Sequence, residues 1–185
     1  MWNIRTDHLC VAISGLSGCG NTSVSTSLSN LLGIACINYT LRNLAEDEGF
    51  AFDEMRALAE QDDKWDLLVD EKQNTFAMSA SCVVGSRLAI WKIPSASVRV
   101  YLEVDESVRV GRIHKRELGD VALIRRHTHE RDTNDYERYK RLYDIDIKQY
   151  KQQADLLIDA NAIGIDEVVE TILHFLIQRD LIQKI

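Results

Sequence analysis

A glycine-rich segment near the start of the chain has the composition of a phosphate-binding loop. Residues 15–22 read GLSGCGNT and match G-x-x-x-x-G-K-[ST] at every defined position except the lysine. In this pattern the glycines let the backbone curl, so that successive N–H groups and the N-terminus of the next helix face a phosphate. We therefore predict that a polyphosphate binds to Gly15, Ser17, Gly18, Cys19, Gly20, Asn21, Thr22 and Ser23, with the Thr22 hydroxyl as the Mg²⁺ ligand.

Asn21 is the departure from the pattern. The lysine usual at this place supplies a cation to the β- and γ-phosphates, whereas an amide donates hydrogen bonds but carries no charge. Two functional interpretations stay open: arginines elsewhere supply the charge, or the chain binds a nucleotide and catalyses poorly. A structural alternative is an ordinary glycine-rich turn between a strand and a helix.

A second group of chemically capable residues lies in the segment from His129 to Tyr139. Arg131, Asp135 and Arg138 recur at i, i+4 and i+7, which places them on one face of a helix. Such a face could bind an anionic ligand. The alternative is an exposed face on which Arg131 and Asp135 form an ion pair, and a pair of that kind contributes only ~0.5 kcal/mol.

The elements that must position these groups alternate between strands and helices. Short apolar, β-prone runs predict five buried strands, at residues 9–14, 34–37, 82–84, 98–104 and 156–158. Helical patterns separate most of them, over residues 41–78 and 107–152, and a closing helix contains Val168, Val169, Ile172, Leu173 and Leu176. This alternation favours an α/β fold whose parallel sheet is covered by helices on both faces.

Composition limits the function classes further. The 185 residues are 45% apolar, which is enough for one sizeable core, and the net charge of −7 argues against a surface that binds duplex nucleic acid. No window approaches the roughly 18 apolar residues of a membrane span, and no leader pattern precedes His8. The four cysteines lack metal-ligand spacing and favour a reducing compartment. We expect a cytoplasmic protein without a membrane or nucleic-acid partner.

Three segments together resemble a known family. The phosphate loop, the run VVGSRLAIW at residues 83–91 and the run HERDTNDYERYKRLYDIDI at residues 129–147 resemble the short, archaeal-type cytidylate kinases in order and spacing. The resemblance extends from about residue 9 to residue 159. It implies a three-layer α/β/α sandwich of the P-loop NTPase type, with a five-stranded parallel sheet, a helical insert that binds the nucleoside monophosphate and a mobile lid. The insert corresponds to residues 39–78, the lid to residues 116–135, and the core to residues 1–38, 79–115 and 136–185.

The resemblance also implies roles for individual residues. ATP with Mg²⁺ would be the phosphoryl donor and CMP or dCMP the acceptor, and a monomer is favoured. Acceptor-binding residues would be Arg42, Arg87, Asp135 and Arg138, with the aspartate on the ribose and the arginines on phosphates. Arg131, Arg112 and Arg116 would act in catalysis, the last two by entering the donor-phosphate region when the lid closes. A basic, solvated helix end is the competing interpretation of Arg112 and Arg116.

Two departures from the family pattern affect these expectations. Where the short family usually reads E-G-R, this chain has Gly85-Ser86-Arg87, so one carboxylate is missing beside the acceptor site. Family members often carry threonine at the place of the loop lysine, and Asn21 differs from that too. The alternatives are a P-loop kinase with another small acceptor, or a nucleotide-binding protein with little or no turnover.

Overall fold

The computed structural model describes residues 2–185, so that Met1, the first residue of the predicted core, lies outside it. The strands are β1 (Trp2–Ile4), β2 (Cys10–Gly15), β3 (Ala35–Ile37), β4 (Cys82–Gly85), β5 (Val98–Glu103), β6 (Leu156–Asp159) and β7 (Ile182–Lys184). The α-helices are α1 (Asn21–Leu32), α2 (Leu41–Glu48), α3 (Phe52–Gln61), α4 (Lys64–Ser79), α5 (Ala89–Lys92), α6 (Glu106–Glu117), α7 (Val121–Tyr143), α8 (Tyr150–Gln153) and α9 (Ile165–Gln178). A 3₁₀ turn covers Ile147–Gln149.

The central sheet has the strand order β3-β4-β2-β5-β6, and all of its neighbouring strands are parallel. In the middle of the sheet Val11 of β2 lies opposite Val83 of β4 on one side and Val98 of β5 on the other. These strands are the five apolar runs of the sequence, and no strand end differs from its predicted position by more than one residue. Continuous apolar runs are typical of parallel strands because helices bury both faces. The predicted five-stranded parallel sheet is confirmed.

Side chains alternate between the two faces of the sheet and build a core on each. Val11 and Ile13 of β2 pack with residues of α1 and α9, whereas Cys10 and Ala12 face α4, α5 and α8. A strand sends successive side chains to opposite faces, so one buried strand serves both cores. The result is the predicted three-layer α/β/α arrangement.

Residues 39–78 form a helical unit at the edge of the sheet, made of α2, α3 and most of α4. Its small core contains Leu44, Ala45 and Met55, with Phe50 and Trp65 packed against it. The amide oxygen of Asn43 accepts hydrogen bonds from the N–H and the hydroxyl of Thr40, at 2.9 and 2.7 Å. This cap fixes the beginning of α2, the turn that carries Arg42.

The structure departs from the sequence pattern at the two ends of the chain and within the second helical region. Strands β1 and β7 pair antiparallel, with Asn3 opposite Gln183. Three-residue strands at opposite ends of a chain leave no periodic signal. The helical stretch 107–152 is broken after Glu117, where Leu118 adopts a left-handed φ of 54° and the Asp120 carboxylate caps α7 by accepting from Leu123 N–H at 2.8 Å.

In the described residues 2–185, no helix combines the length and the apolar character that a membrane span requires.

The helix that follows the phosphate loop is anchored by its apolar face, which yields a stability prediction. Leu28 of α1 is fully buried, whereas Leu31 on the same helix is 51% exposed. We expect Leu28→Ala to lower the free energy of unfolding by about 2–5 kcal/mol because it leaves a cavity. Leu31→Ala, the matched control, should change it by less than about 1 kcal/mol. Urea denaturation measures both, and equal losses for the two variants would contradict this account of the core.

Candidate functional site

The chemically capable residues meet at one edge of the central sheet. The carboxyl ends of β2, β3 and β4 all point to this edge, and each continues into a loop. In open parallel sheets ligands bind in the crevice outside these carboxyl ends. Here the crevice is a cleft of about 710 Å³ between the sheet edge, helix α4 and helix α7.

The loop from Gly15 to Gly20 forms the floor of the cleft. Gly18 and Gly20 adopt φ values of 83° and 100°, a left-handed conformation that favours glycine. The Cys19 N–H turns back to the carbonyl of Leu16 at 3.1 Å, and helix α1 begins at Asn21 without a side-chain cap. The first N–H groups of a helix have no acceptor within it, and together with the helix dipole they favour an anion. The geometry therefore fits the predicted phosphate cup.

Gly18 is also a point of close approach between the loop and helix α6. A Cβ atom at this position would lie 3.0 Å from Ile113 Cδ1 and 3.1 Å from the carbonyl oxygen of Arg109. A side chain there would push the loop away from α6, in addition to the strain of a positive φ. The loop is thus positioned from behind by α6 as well as by β2.

Three polar residues follow the glycines in the first turn of α1. Thr22 and Ser23 are exposed and line the cleft, where a hydroxyl could reach a phosphate or its metal ion. The amide oxygen of Asn21 accepts a hydrogen bond from Ser25 Oγ at 3.2 Å, which leaves the amide NH₂ group as its donor. The loop supplies no side-chain cation.

Arginines surround the cleft. Arg42, Arg87, Arg116, Arg131 and Arg138 all line it. They come from α2, from the loop after β4, from α6 and, for the last two, from α7. The guanidinium carbon of Arg42 lies 3.9 Å from the centre of the Phe52 ring. A cluster of this kind offers planar donors for the oxygens of a phosphate.

Asp135 organises part of this cluster. It is only 8% exposed and forms ion pairs with Arg87 and, at 3.3 Å, with Arg138. Burial lowers the pKa of the Arg87 guanidinium. The alternative of an exposed helix face held by an Arg131–Asp135 pair therefore does not apply, since Asp135 is buried and pairs with Arg87 and Arg138. A buried carboxylate needs a partner, and Arg87, from a different part of the chain, provides one.

Two carboxylates on α4 belong to the cleft although the sequence analysis did not single them out. Asp66 pairs with Arg138 at 3.3 Å, and Asp70 lies 3.7 Å from Lys92 Nζ. Burial raises the pKa of both carboxyl groups. Asp70 Oδ2, the atom that Lys92 approaches, is buried and accepts no hydrogen bond of normal length. The i, i+4, i+7 spacing of Asp66, Asp70 and Gln73 was the available signal, since all three line the cleft.

Gln73 completes this wall of the cleft. It is 6% exposed, and its Nε2 donates to the carbonyl of Tyr39 at 2.7 Å. This hydrogen bond fixes the orientation of the Gln73 side-chain amide, so that its oxygen remains free to accept a hydrogen bond. The α4 wall of the cleft therefore presents oxygen acceptors, at Asp70 and Gln73.

Arg112 lies apart from the other predicted arginines. It borders a second cavity of about 430 Å³, which also contacts Gly20, Arg116, Ile163 and Ile165. Arg116 is exposed and pairs with its neighbour Glu117 at 2.5 Å. The second cavity adjoins the phosphate loop, and its other walls are α6, the first turns of α1 and α9, and the loop between β6 and α9.

Arg109, one turn before Arg112, also contacts the phosphate loop, although no pattern in the sequence marks it. It is 3% exposed, donates to the carbonyls of Ser17 at 2.9 Å and Val104 at 3.1 Å, and pairs with Asp132 at 2.8 Å. The segment VRVGRIHKR looks like a basic helix end in the sequence. Its burial depends on how α6 and α7 pack together.

Comparisons of the sequence with known proteins point to one family. Residues 10–162 match the model of the cytidylate kinase-like family. A protein of Borrelia garinii named cytidylate kinase 2 is 37% identical over 174 residues, which covers 92% of this chain and 98% of the relative. A cytidylate kinase of Archaeoglobus fulgidus is 33% identical over 166 residues and covers 88% of this chain and 92% of the relative.

A solved structure supports the fold independently. Shikimate kinase from Acinetobacter baumannii superposes with a TM-score of 0.62 at 14% identity, covering 94% of this chain and 96% of that one. Such a likeness shows the fold alone, an α/β fold of the P-loop kinase type. With the family match over most of the chain, the conclusion is that this chain belongs to the cytidylate kinase-like family.

Proposed function

We propose that this protein transfers the γ-phosphoryl group of ATP to a nucleoside monophosphate, with CMP or dCMP as the acceptor. One observation carries the proposal: a phosphate-binding loop and the guanidinium groups of Arg42, Arg87, Arg131 and Arg138 line a single cleft. Phosphoryl transfer requires alignment and charge neutralisation rather than a protein nucleophile. The names of the relatives support the same chemistry.

On the donor side, the amides of residues 15–22 would bind the ATP phosphates. Thr22 in the first turn of α1 would ligate Mg²⁺, and the ion would supply positive charge beside the phosphates. The second cavity, beside Arg112, is the space available for the adenosine. Arg116 and Arg131 line the cleft from α6 and α7 and would contact the transferred group.

On the acceptor side, the ion pairs of Asp135 suggest that its two arginines exchange the carboxylate for a phosphate when the acceptor binds. Arg87 and Arg138 are held by a carboxylate in the free protein. An acceptor phosphate carries more charge than a carboxylate and offers more oxygens to a guanidinium, so it would compete for these arginines. Asp135 would then be free to accept a hydrogen bond from the ribose. Arg42 would close on the same phosphate from the insert.

The groups that α4 presents to the cleft favour cytosine as the base of the nucleotide that accepts the phosphoryl group. Asp70 Oδ2 and the free amide oxygen of Gln73 are hydrogen-bond acceptors within the cleft. Cytosine presents an amino donor at C4, whereas uracil presents an oxygen there that these acceptors would repel. Asp70 could thus supply the carboxylate that the run Gly85-Ser86-Arg87 lacks.

Movement of the insert (39–78) and of the lid (116–135) would complete the site. Closure over both nucleotides excludes water, which would otherwise accept the phosphoryl group. A monomeric state and a cytoplasmic location remain predictions of the sequence.

A panel of acceptors tests the proposed activity. With Mg-ATP as donor we expect kcat/KM to be highest for CMP and dCMP and at least about tenfold lower for UMP, since the oxygen at C4 of uracil would face the acceptors of α4. Transfer of ³²P to each monophosphate measures this, with samples containing EDTA as the control. Tight ATP binding without transfer to any acceptor would instead identify a nucleotide-binding protein disabled at Asn21.

Asp70→Asn tests how the acceptor base is recognised. The new NH₂ group can donate to O4 of uracil, so the ratio of kcat/KM for CMP to that for UMP should fall about tenfold or more. Asp53→Asn is the matched control, because that carboxylate is 87% exposed on α3 and does not line the cleft. An unchanged ratio in Asp70→Asn would rule out Asp70 as the base-reading group without affecting the assignment of the phosphate sites.

A further inference from the structure

Two arginines of α6 contact the back of the phosphate loop. Arg109 Nη1 donates to the carbonyl of Ser17 at 2.9 Å, and Arg112 Nη1 donates to the carbonyl of Cys19 at 3.0 Å. The two residues are three positions apart and so share one face of the helix. Each therefore holds one peptide group of the loop by a charge-assisted hydrogen bond.

Peptide geometry connects these contacts to the phosphate cup. In a trans peptide the carbonyl and the N–H of the next residue point in opposite directions, and residues 2–185 contain no cis bond. The carbonyls of Ser17 and Cys19 point to α6, so the N–H groups of Gly18 and Gly20 point away from α6. A cation on the carbonyl side polarises the peptide and strengthens the N–H as a donor.

The two arginines behind the loop differ in whether a carboxylate neutralises their charge. Arg109 is neutralised by Asp132 at 2.8 Å. Arg112 has no carboxylate within 4.0 Å anywhere in residues 2–185, and besides Cys19 it contacts the carbonyls of Ala160 at 2.5 Å and Ile163 at 3.5 Å. The net cation nearest to the back of the loop is thus Arg112. Position 21, the usual place of the loop cation, carries a neutral amide.

We propose that Arg112 supplies, through the peptide group that joins Cys19 to Gly20, the positive potential that the loop lacks at Asn21. It is a positioning residue, because it acts on the polyphosphate through the backbone. Arg109, which forms an ion pair with Asp132, keeps α6 in contact with the loop. The inference rests on the proposed function, since it requires a polyphosphate in the loop.

A double-mutant cycle between positions 112 and 21 tests the inference. Wild type, Arg112→Gln, Arg112→Lys, Asn21→Lys and the double variant Asn21→Lys/Arg112→Gln are compared by calorimetric titration with Mg-ATP. Inorganic tripolyphosphate, which has no base, is the second probe. Thermal unfolding of each variant reports its folding.

We expect the loss of affinity for the polyphosphate to depend on whether the side chain at position 112 keeps its positive charge. Arg112→Gln should raise the Kd for ATP and for tripolyphosphate by a similar factor, about tenfold, because the Cys19–Gly20 peptide loses the cation that polarises its N–H toward the phosphate. Arg112→Lys should lose less than about threefold, since it retains the cation. Asn21→Lys should improve affinity far more in the Arg112→Gln background than in wild type, because a lysine there replaces the missing charge.

Three results would overturn the inference. Equal effects of Asn21→Lys in both backgrounds would show that the two positions do not share a role. Weaker ATP binding with unchanged tripolyphosphate binding would show that Arg112 contacts the donor base. Similar losses in Arg112→Gln and Arg112→Lys, with a lower Tm in both, would show a purely structural role. If wild type bound neither ATP nor tripolyphosphate, the proposed function would fail as well, whereas binding without transfer to CMP would leave this test intact.

Discussion

The hydrogen-bonding capacity of the backbone at the beginning of α1 is the interaction on which the site depends. Free N–H groups at a helix N-terminus attract an anion only when the preceding loop directs them into one space. Here β2 fixes one end of that loop, the buried Leu28 face of α1 fixes the other, and α6 contacts its back at Gly18. Left-handed glycines at 18 and 20 make the turn sterically possible. Without this frame the surrounding arginines would have no common ligand.

The second constraint is charge. Several guanidinium groups converge on one cleft in a protein whose net charge is −7. Before an anionic substrate arrives, carboxylates from distant elements neutralise part of that charge: Asp66 and Asp135 in the cleft and Asp132 behind the loop. Such pairs limit the cost of burying ions in the free protein. They also hold the arginines close to where phosphates are proposed to bind, and this partial preorganisation reduces the cost of binding.

Much of the fold could be predicted because its signals are local. The strands of the sheet are continuous apolar runs, since both of their faces are buried, and the phosphate loop is defined by spacing alone. The helix face of Arg131, Asp135 and Arg138 was visible by periodicity, but its burial was not, because Arg87, the partner of Asp135, comes from another strand end. Arg109 and the β1–β7 pair depend in the same way on contacts between distant segments. Asp70 had a usable signal in its helical spacing with Asp66 and Gln73, but only the fold brings this face of α4 beside Arg87.

A crystal structure with Mg²⁺ and a bisubstrate analogue, cytidine and adenosine joined by five phosphates, would show directly where the phosphates bind. We predict that the polyphosphate lies against the amides of residues 15–22, that Arg87 and Arg138 have turned from Asp135 to phosphate oxygens, and that Asp135 contacts the cytidine ribose. A polyphosphate bound away from the loop, or arginines that remain paired with Asp135 or point to solvent, would contradict this prediction.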